Sequence, residues 1–135
     1  MKKPTENSRP RKMVGQITQV SNRIRGLLTQ IHPALERVLG PRLDHPALCD
    51  LLQKYPSPAA LAAASEKRLT AHLSKLAPRL SKTLPAEIHQ ALHEQTVVVP
   101  GTQAAGLVLP KLCAQLATLR RQREELAHEV ERIKT

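Results

Sequence analysis

The chain has 135 residues, which is enough for one domain or for one small domain with a long helix. Hydrophobic residues make up 41% of it but aromatic residues only 1%, so the core must be built from Leu, Val, Ile and Ala, which suits layers of helices. The net charge of +10 and the isoelectric point near 10.3 favour an anionic partner, nucleic acid first, over the alternative of a plain solvated basic surface.

Two further features of the composition restrict the class of protein. No run of 18 apolar residues is present, so we expect no membrane span and no membrane partner. The two cysteines, Cys49 and Cys113, lie far apart without metal or redox spacing. They are expected to be buried apolar thiols in a reducing cytoplasm.

The first third of the chain predicts a basic arm and then a long helix. Residues 1–12 are charged, polar and proline-containing, which predicts a disordered arm. From Met13 onwards an apolar stripe predicts an amphipathic helix close to a coiled-coil seam. Pro33 ends or kinks this helix, and Gly40-Pro41 stops the short helical stretch that follows. The stripe consists of Ile17, Val20, Ile24, Leu27 and Ile31.

Short helices with clear start signals come next. Proline at a first helical position and serine as a cap predict helix starts at Pro46, at Pro58 behind Ser57, after Ser65 and at Pro85. The β-branched run 96–99 is expected to be extended. Residues 13–101 are therefore interpreted as a helical linker region. The stripes expected to face inward are Leu69, Leu73 and Leu76 in one helix and Ile88 and Leu92 in another.

Residues 102–135 predict a long coiled-coil-type helix, capped by Thr102 and kinked or started at Pro110. The fold class is accordingly all-α, with short helices between two long amphipathic ones. A heptad seam of this kind predicts self-association through 109–133, with a homodimer favoured over folding back on 17–31. Its positions are Leu109, Leu112, Leu116, Leu119, Arg123, Leu126, Val130 and Ile133.

Basic side chains are candidates for nucleic-acid contact. Arg68, His72, Lys75 and Arg79 follow helical spacing opposite the leucine stripe 69–76, and Lys67 adjoins them. A face of one charge sign beside an apolar face suits phosphate contact, although a solvated face is the alternative. Arg23 and Arg25 flank the first stripe and are added as candidates. The lack of aromatic residues argues against recognition of single strands by base stacking.

No pattern for catalysis is found. His89 and His93 are spaced i, i+4, but no third ligand accompanies them, so they are interpreted as surface histidines. The only aspartates are Asp44 and Asp50, and a two-metal nuclease needs several converging carboxylates. We therefore expect no catalytic residue, no metal and no cofactor in this chain, and no enzyme activity from it alone.

Several segments together resemble the insertion sequence 110 family, the Piv-like transposases with a RuvC-like DEDD domain. The resemblance runs from about Arg11 to Ile133. Each segment alone is weakly specific for the family, whereas the set of segments in this order is more specific. In chain order they are QVSNRIRGLL (19–28), HPALERVLGPRLDHPAL (32–48), YPSPAALAAA (55–64), EQTVVVPGT (94–102) and QLATLRRQREELAHEVERI (115–133).

The resemblance implies a role in DNA transposition. Family members carry a nuclease domain with four acidic residues before this region and a domain with a nucleophilic serine after it, so the chain is expected to be truncated at both ends. The implied partners are DNA, a guide RNA, and another copy or a full-length transposase, at the bacterial nucleoid in the cytoplasm. Two alternatives stay open: a separate helical module that pairs with a full-length transposase, and an unrelated basic nucleoid-type protein.

Overall fold

The computed structural model describes the backbone of residues 5–134 and the side chains of residues 12–134, and in that part it consists of helices joined by short loops. This confirms the all-α fold class. A 3₁₀ turn at Gly40–Arg42 follows α2. The α-helices are α1 (Thr5–Ile31), α2 (Pro33–Leu39), α3 (Pro46–Lys54), α4 (Pro58–Ala63), α5 (Glu66–Ser74), α6 (Leu80–Glu94) and α7 (Thr102–Lys134).

The short helices begin where local chemistry predicts. The Ser57 hydroxyl accepts a hydrogen bond from the Ala60 amide at 3.1 Å, and the Ser65 hydroxyl accepts one from the Arg68 amide at 3.2 Å. Each satisfies an amide that has no partner inside its helix. His45 has the same role in front of Pro46, since its Nδ1 accepts from the Ala47 amide.

Three expectations about the helices were wrong: where α1 begins, where α6 begins, and that Leu76 faces inward. The helix expected from Met13 begins at Thr5, so most of the segment interpreted as a disordered arm is helical, while residues 1–4 lie outside the described residues. A polar segment extends an existing helix at little cost because nucleation has already occurred. Pro85 lies inside α6, which begins at Leu80, and its ring is buried in the core. Leu76 is 52% exposed because α5 ends before it.

The core is almost purely aliphatic. α7 packs along α1 and against α3, while α6 packs on α2, α4 and α5. The last turn of α1 and the first turns of α7 line one cavity, so these two long helices run antiparallel. No described helix combines the length and hydropathy that crossing a membrane requires. Fully buried side chains come from every α-helix, among them Ile24, Leu35, Leu48, Leu61, Leu69, Ile88 and Leu116.

Candidate nucleic-acid interface

Exposed basic residues occur at both ends of α5 and in its connection to α6. Lys67 and Arg68 lie on the first turn of α5, whereas Lys75 and Arg79 lie in the connection to α6. Lys82, on the first turn of α6, adds a fifth exposed cation that the sequence reasoning did not select, although it lies three residues beyond Arg79. These five residues are called the basic corner. Within the described residues none of them forms an ion pair, and Glu66 is the one acid of α5.

His72 does not belong to the basic corner. Its Nε2 lies 2.7 Å from Asp50 Oδ2, and its ring meets that of Tyr55 edge-on at a centroid distance of 6.1 Å. The His72 side chain is only 18% exposed and faces α3 rather than solvent. Since α5 ends at Ser74, the single helical face expected through 68–79 is replaced by two helix ends and a connecting turn.

Some other cations of the folded part are paired with acids, whereas Lys54 and Lys111 are exposed and form no ion pair within the described residues. Arg37 lies 3.9 Å from Glu94, and Arg42 lies 3.2 Å from Glu87, so the face shared by α2 and α6 is largely neutral. The candidate residue Arg25 is likewise paired, with its Nε 3.1 Å from Glu36 Oε2.

Its neighbour Arg23 is exposed on α1 and forms no ion pair within the described residues. Five unpaired cations therefore fall within residues 67–82, and Arg23, Lys54 and Lys111 are among the unpaired cations elsewhere in the described residues.

The heptad seam of α7 divides into two halves. Leu109, Leu112 and Leu116 are buried in the core of the same chain, and Leu119 is partly buried against it. This is the fold-back arrangement on α1, with α3 completing the cover. Beyond Arg123, which is exposed, Leu126 is half-buried, while Val130 and Ile133 are 43% and 80% exposed. Only this outer half of the seam is open to a partner.

Arg120 anchors α7 where the two halves of the seam meet. Its guanidinium donates to the Leu43 carbonyl and lies 3.6 Å from Cys49 Sγ. Both cysteines are buried free thiols, as expected. A hydrogen bond from Cys113, followed by the nearby Arg120 charge, lowers the pKa of Cys49 against the opposing effect of burial. The same hydrogen bond, together with burial, raises the pKa of Cys113 far above its ordinary range. The thiols are thus part of the packing between α3 and α7.

The histidine pair does not converge on a site. His89 Nε2 lies 2.8 Å from the Ala64 carbonyl at the end of α4, whereas His93 is exposed on the last turn of α6. His89 therefore serves to close a helix end. Within the described residues, no three His, Cys, Asp or Glu side chains come together as a metal site would require.

Fold and surface together define a basic all-helical protein with unpaired cations along α5 and a projecting long helix, and comparison with known proteins gives its family. The chain is 50% identical over 118 residues to the insertion element IS110 uncharacterized 43.6 kDa protein of Streptomyces coelicolor, a match that covers 87% of this chain and 29% of the relative. It is 36% identical over 110 residues to the insertion element IS116 uncharacterized 44.8 kDa protein of Streptomyces clavuligerus, covering 79% of this chain and 27% of that protein.

A third relative is the insertion element IS900 uncharacterized 42 kDa protein of Mycobacterium paratuberculosis, 33% identical over 106 residues, with 74% of this chain and 26% of that protein covered. No family model matches the chain, and no solved structure matches it significantly. The chain belongs to the insertion sequence 110 family of insertion-element proteins, which confirms the resemblance inferred from its segments. It spans less than a third of the length of these relatives.

Proposed function

We propose that this chain is a nucleic-acid-associated helical segment of the transposition machinery of its insertion element. The observation that supports this most directly is the basic corner, where five exposed cations have no acidic partner among the described residues. Phosphate groups are the natural counter-charge for such a surface. The partners proposed are DNA and a guide RNA, bound through the backbone rather than by stacking of bases.

The chain itself is proposed to be non-catalytic. Its acids are scattered: Glu87 and Glu94 are paired with arginines, Asp50 with His72, and four others lie along the outer part of α7. A phosphodiester cleavage site instead needs carboxylates that hold two metal ions roughly 3.5–4 Å apart. We assign the chemical steps of transposition to other parts of a full-length family member.

The experiment is the salt dependence of binding to duplex DNA, measured by fluorescence anisotropy. With about four to six phosphates contacted, log K against log salt should have a slope of about −4 to −5. A basic-corner variant with Arg68→Ala, Lys75→Ala and Arg79→Ala should flatten the slope by about two to three, since each lost contact contributes about 0.9. Helix content should stay the same because alanine favours helix and these side chains are exposed. An unchanged affinity and slope would make the basic corner a merely solvated surface.

Pairing through the outer half of the α7 seam is a second candidate function, favoured by the exposure of Val130 and Ile133. The partner would be another copy or a full-length transposase. The open part of the seam has three apolar positions, Leu126, Val130 and Ile133, which follow the exposed Arg123 in the sequence. An isolated coiled coil sustains its pairing over several heptads, so this contact should be weak alone. Val130→Asp with Ile133→Asp should abolish it, and association unchanged by both substitutions would exclude this surface.

A further inference from the structure

The two cysteines of the chain lie far apart in the sequence but meet between α3 and α7. Cys49 lies on α3 and Cys113 on α7, and these two helices pack against each other. Both residues are free thiols in the hydrophobic core, at 1% and 0% exposure. The Cys113 thiol donates a hydrogen bond to the Cys49 sulfur. The fold therefore brings all the thiols of this chain into one contact.

A guanidinium lies beside this pair of thiols. Arg120 Nη1 is 3.6 Å from Cys49 Sγ, and the same side chain donates to the Leu43 carbonyl, which holds it in place. Arg120 is half-buried and forms no ion pair with an acid among the described residues. A thiolate on Cys49 would be the counter-charge that this arginine lacks.

The surroundings make Cys49 the more reactive of the two thiols. The hydrogen bond from Cys113 lowers the pKa of Cys49, burial opposes this, and the Arg120 charge adds to the lowering. The hydrogen bond to Cys49 and burial instead raise the pKa of Cys113. The thiolate is the form of cysteine that attacks an oxidant, and a neighbouring cation favours it. Oxidation should therefore begin at Cys49.

We propose that Cys49 and Cys113 form a reversible internal disulfide when the protein meets a peroxide, and that this bond fastens α7 to α3. Sulfur atoms already in contact across two packed helices need only a small movement to reach disulfide geometry. In a reducing cytoplasm the pair would remain a dithiol, since disulfides formed there are typically transient and respond to oxidants. The inference goes beyond nucleic-acid binding and does not depend on it.

The oxidation takes two steps and consumes one peroxide. The Cys49 thiolate attacks a peroxide oxygen, so an S–O bond forms, the O–O bond breaks and the leaving hydroxide takes up a proton as water. Cys49, now a sulfenic acid, no longer carries the negative charge that held the proton on Cys113. The Cys113 sulfur then attacks Cys49 Sγ, the S–S bond forms, and the S–O bond breaks with loss of a second water. Both thiols are oxidised, and hydrogen peroxide is reduced to two waters.

Burial determines how the pair meets its oxidant. Because both residues are almost fully covered, peroxide reaches Cys49 during local opening of the contact between α3 and α7. The disulfide then prevents further opening at this point. It also restricts the unfolded chain, so the oxidised protein should be more stable than the reduced protein. Oxidation would thereby fix the buried half of the α7 seam in place.

Thiol counting on the whole chain tests the proposal. The reduced protein is treated with hydrogen peroxide, denatured, and labelled with a maleimide, while untreated protein gives the count before oxidation. We expect a monomer without labelled thiols, whose mass is lower by two hydrogens and whose peptides containing Cys49 and Cys113 are joined. Dithiothreitol should restore both thiols. Urea unfolding followed by circular dichroism should give a higher midpoint for the oxidised protein than for the reduced one.

Two single variants test the order of the steps. In Cys113→Ala, dimedone should trap Cys49 as a sulfenic acid, whereas in the matched Cys49→Ala variant Cys113 should remain a free thiol. Equal oxidation in the two variants overturns the assignment of Cys49 as the first thiol to react. The wild-type assay needs neither variant, so it decides the disulfide even where a variant does not fold.

Three results in the wild-type chain overturn the proposal. One is a folded chain that keeps both thiols under peroxide conditions that oxidise the urea-denatured chain. Another is oxidation to disulfide-linked dimers or to sulfinic acids in place of an internal disulfide. The third is an internal disulfide that leaves the urea midpoint unchanged or lowers it, because the bond would then not fasten α7 to α3.

Discussion

His32 and Gln95 lie 63 residues apart in the sequence and are hydrogen-bonded to each other. This contact joins the α1–α2 junction to the end of α6. The Leu35 amide donates to His32 Nδ1 at 3.1 Å, so Nε2 of the neutral ring carries the proton and donates to the Gln95 carbonyl at 3.2 Å. The Gln95 side chain in turn donates to the Ile31 carbonyl at 3.0 Å. The pair thereby fixes where the segment 96–101 begins.

Replacing His32 with alanine should destabilise the protein. The imidazole is buried, caps α2 and binds Gln95, so its loss leaves buried polar groups unsatisfied at a cost of about 1–3 kcal/mol. Urea unfolding followed by circular dichroism measures the change. His93→Ala, on an exposed helix position, is the control and should stay within about 0.5 kcal/mol of wild type. Equal effects of the two substitutions would mean that the contact adds nothing to stability.

The two halves of the α7 seam should respond differently when a side chain is replaced by alanine. Leu112 is 4% exposed in the core, so Leu112→Ala should cost about 2–5 kcal/mol of unfolding free energy. Val130, which is 43% exposed, should tolerate alanine within about 0.5 kcal/mol. Urea unfolding at several protein concentrations distinguishes the arrangements. A large cost at Val130 that grows with concentration would instead indicate that the whole seam pairs between chains.

The purified chain should not cleave or join DNA in the presence of Mg²⁺ or Mn²⁺. The reason is the scattered placement of its acids, which form no metal-binding group within the described residues. Incubation with labelled duplex and separation on a denaturing gel gives the answer. Metal-dependent cleavage would refute the proposal that this chain is non-catalytic, provided that the cleavage survives repeated purification and is lost when this chain is mutated.

Local signals in the sequence predicted local structure well. The starts of α3, α4 and α5 follow from Pro46, Pro58 and Ser65, because a cap or a fixed φ acts within one turn. The prediction of a helix start at Pro85 was wrong, because this proline lies buried inside α6. Its burial is decided by distant parts of the chain, which local signals do not report.

The candidate site was predictable in charge but not in shape. Lys67, Arg68, Lys75 and Arg79 were chosen from spacing and are exposed, yet sequence gave no sign that Asp50 would engage His72 or that Glu36 would engage Arg25. Such pairings join residues from different helices. The apolar cavities between α4, the segment 96–101 and the start of α7 were missed altogether, because they exist only once these elements are placed together.

Nucleic acid is proposed to bind at the basic corner rather than in response to the net charge of the protein as a whole. The most direct test of this proposal compares the basic-corner variant with a control variant that carries Arg37→Ala, Arg42→Ala and Arg132→Ala. These three arginines are ion-paired with Glu94, Glu87 and Glu129, and both variants lose three positive charges from +10. We expect the slope of log K against log salt on duplex DNA to flatten by about two to three for the basic-corner variant and by less than about one for the control. Equal flattening in both variants would contradict the account.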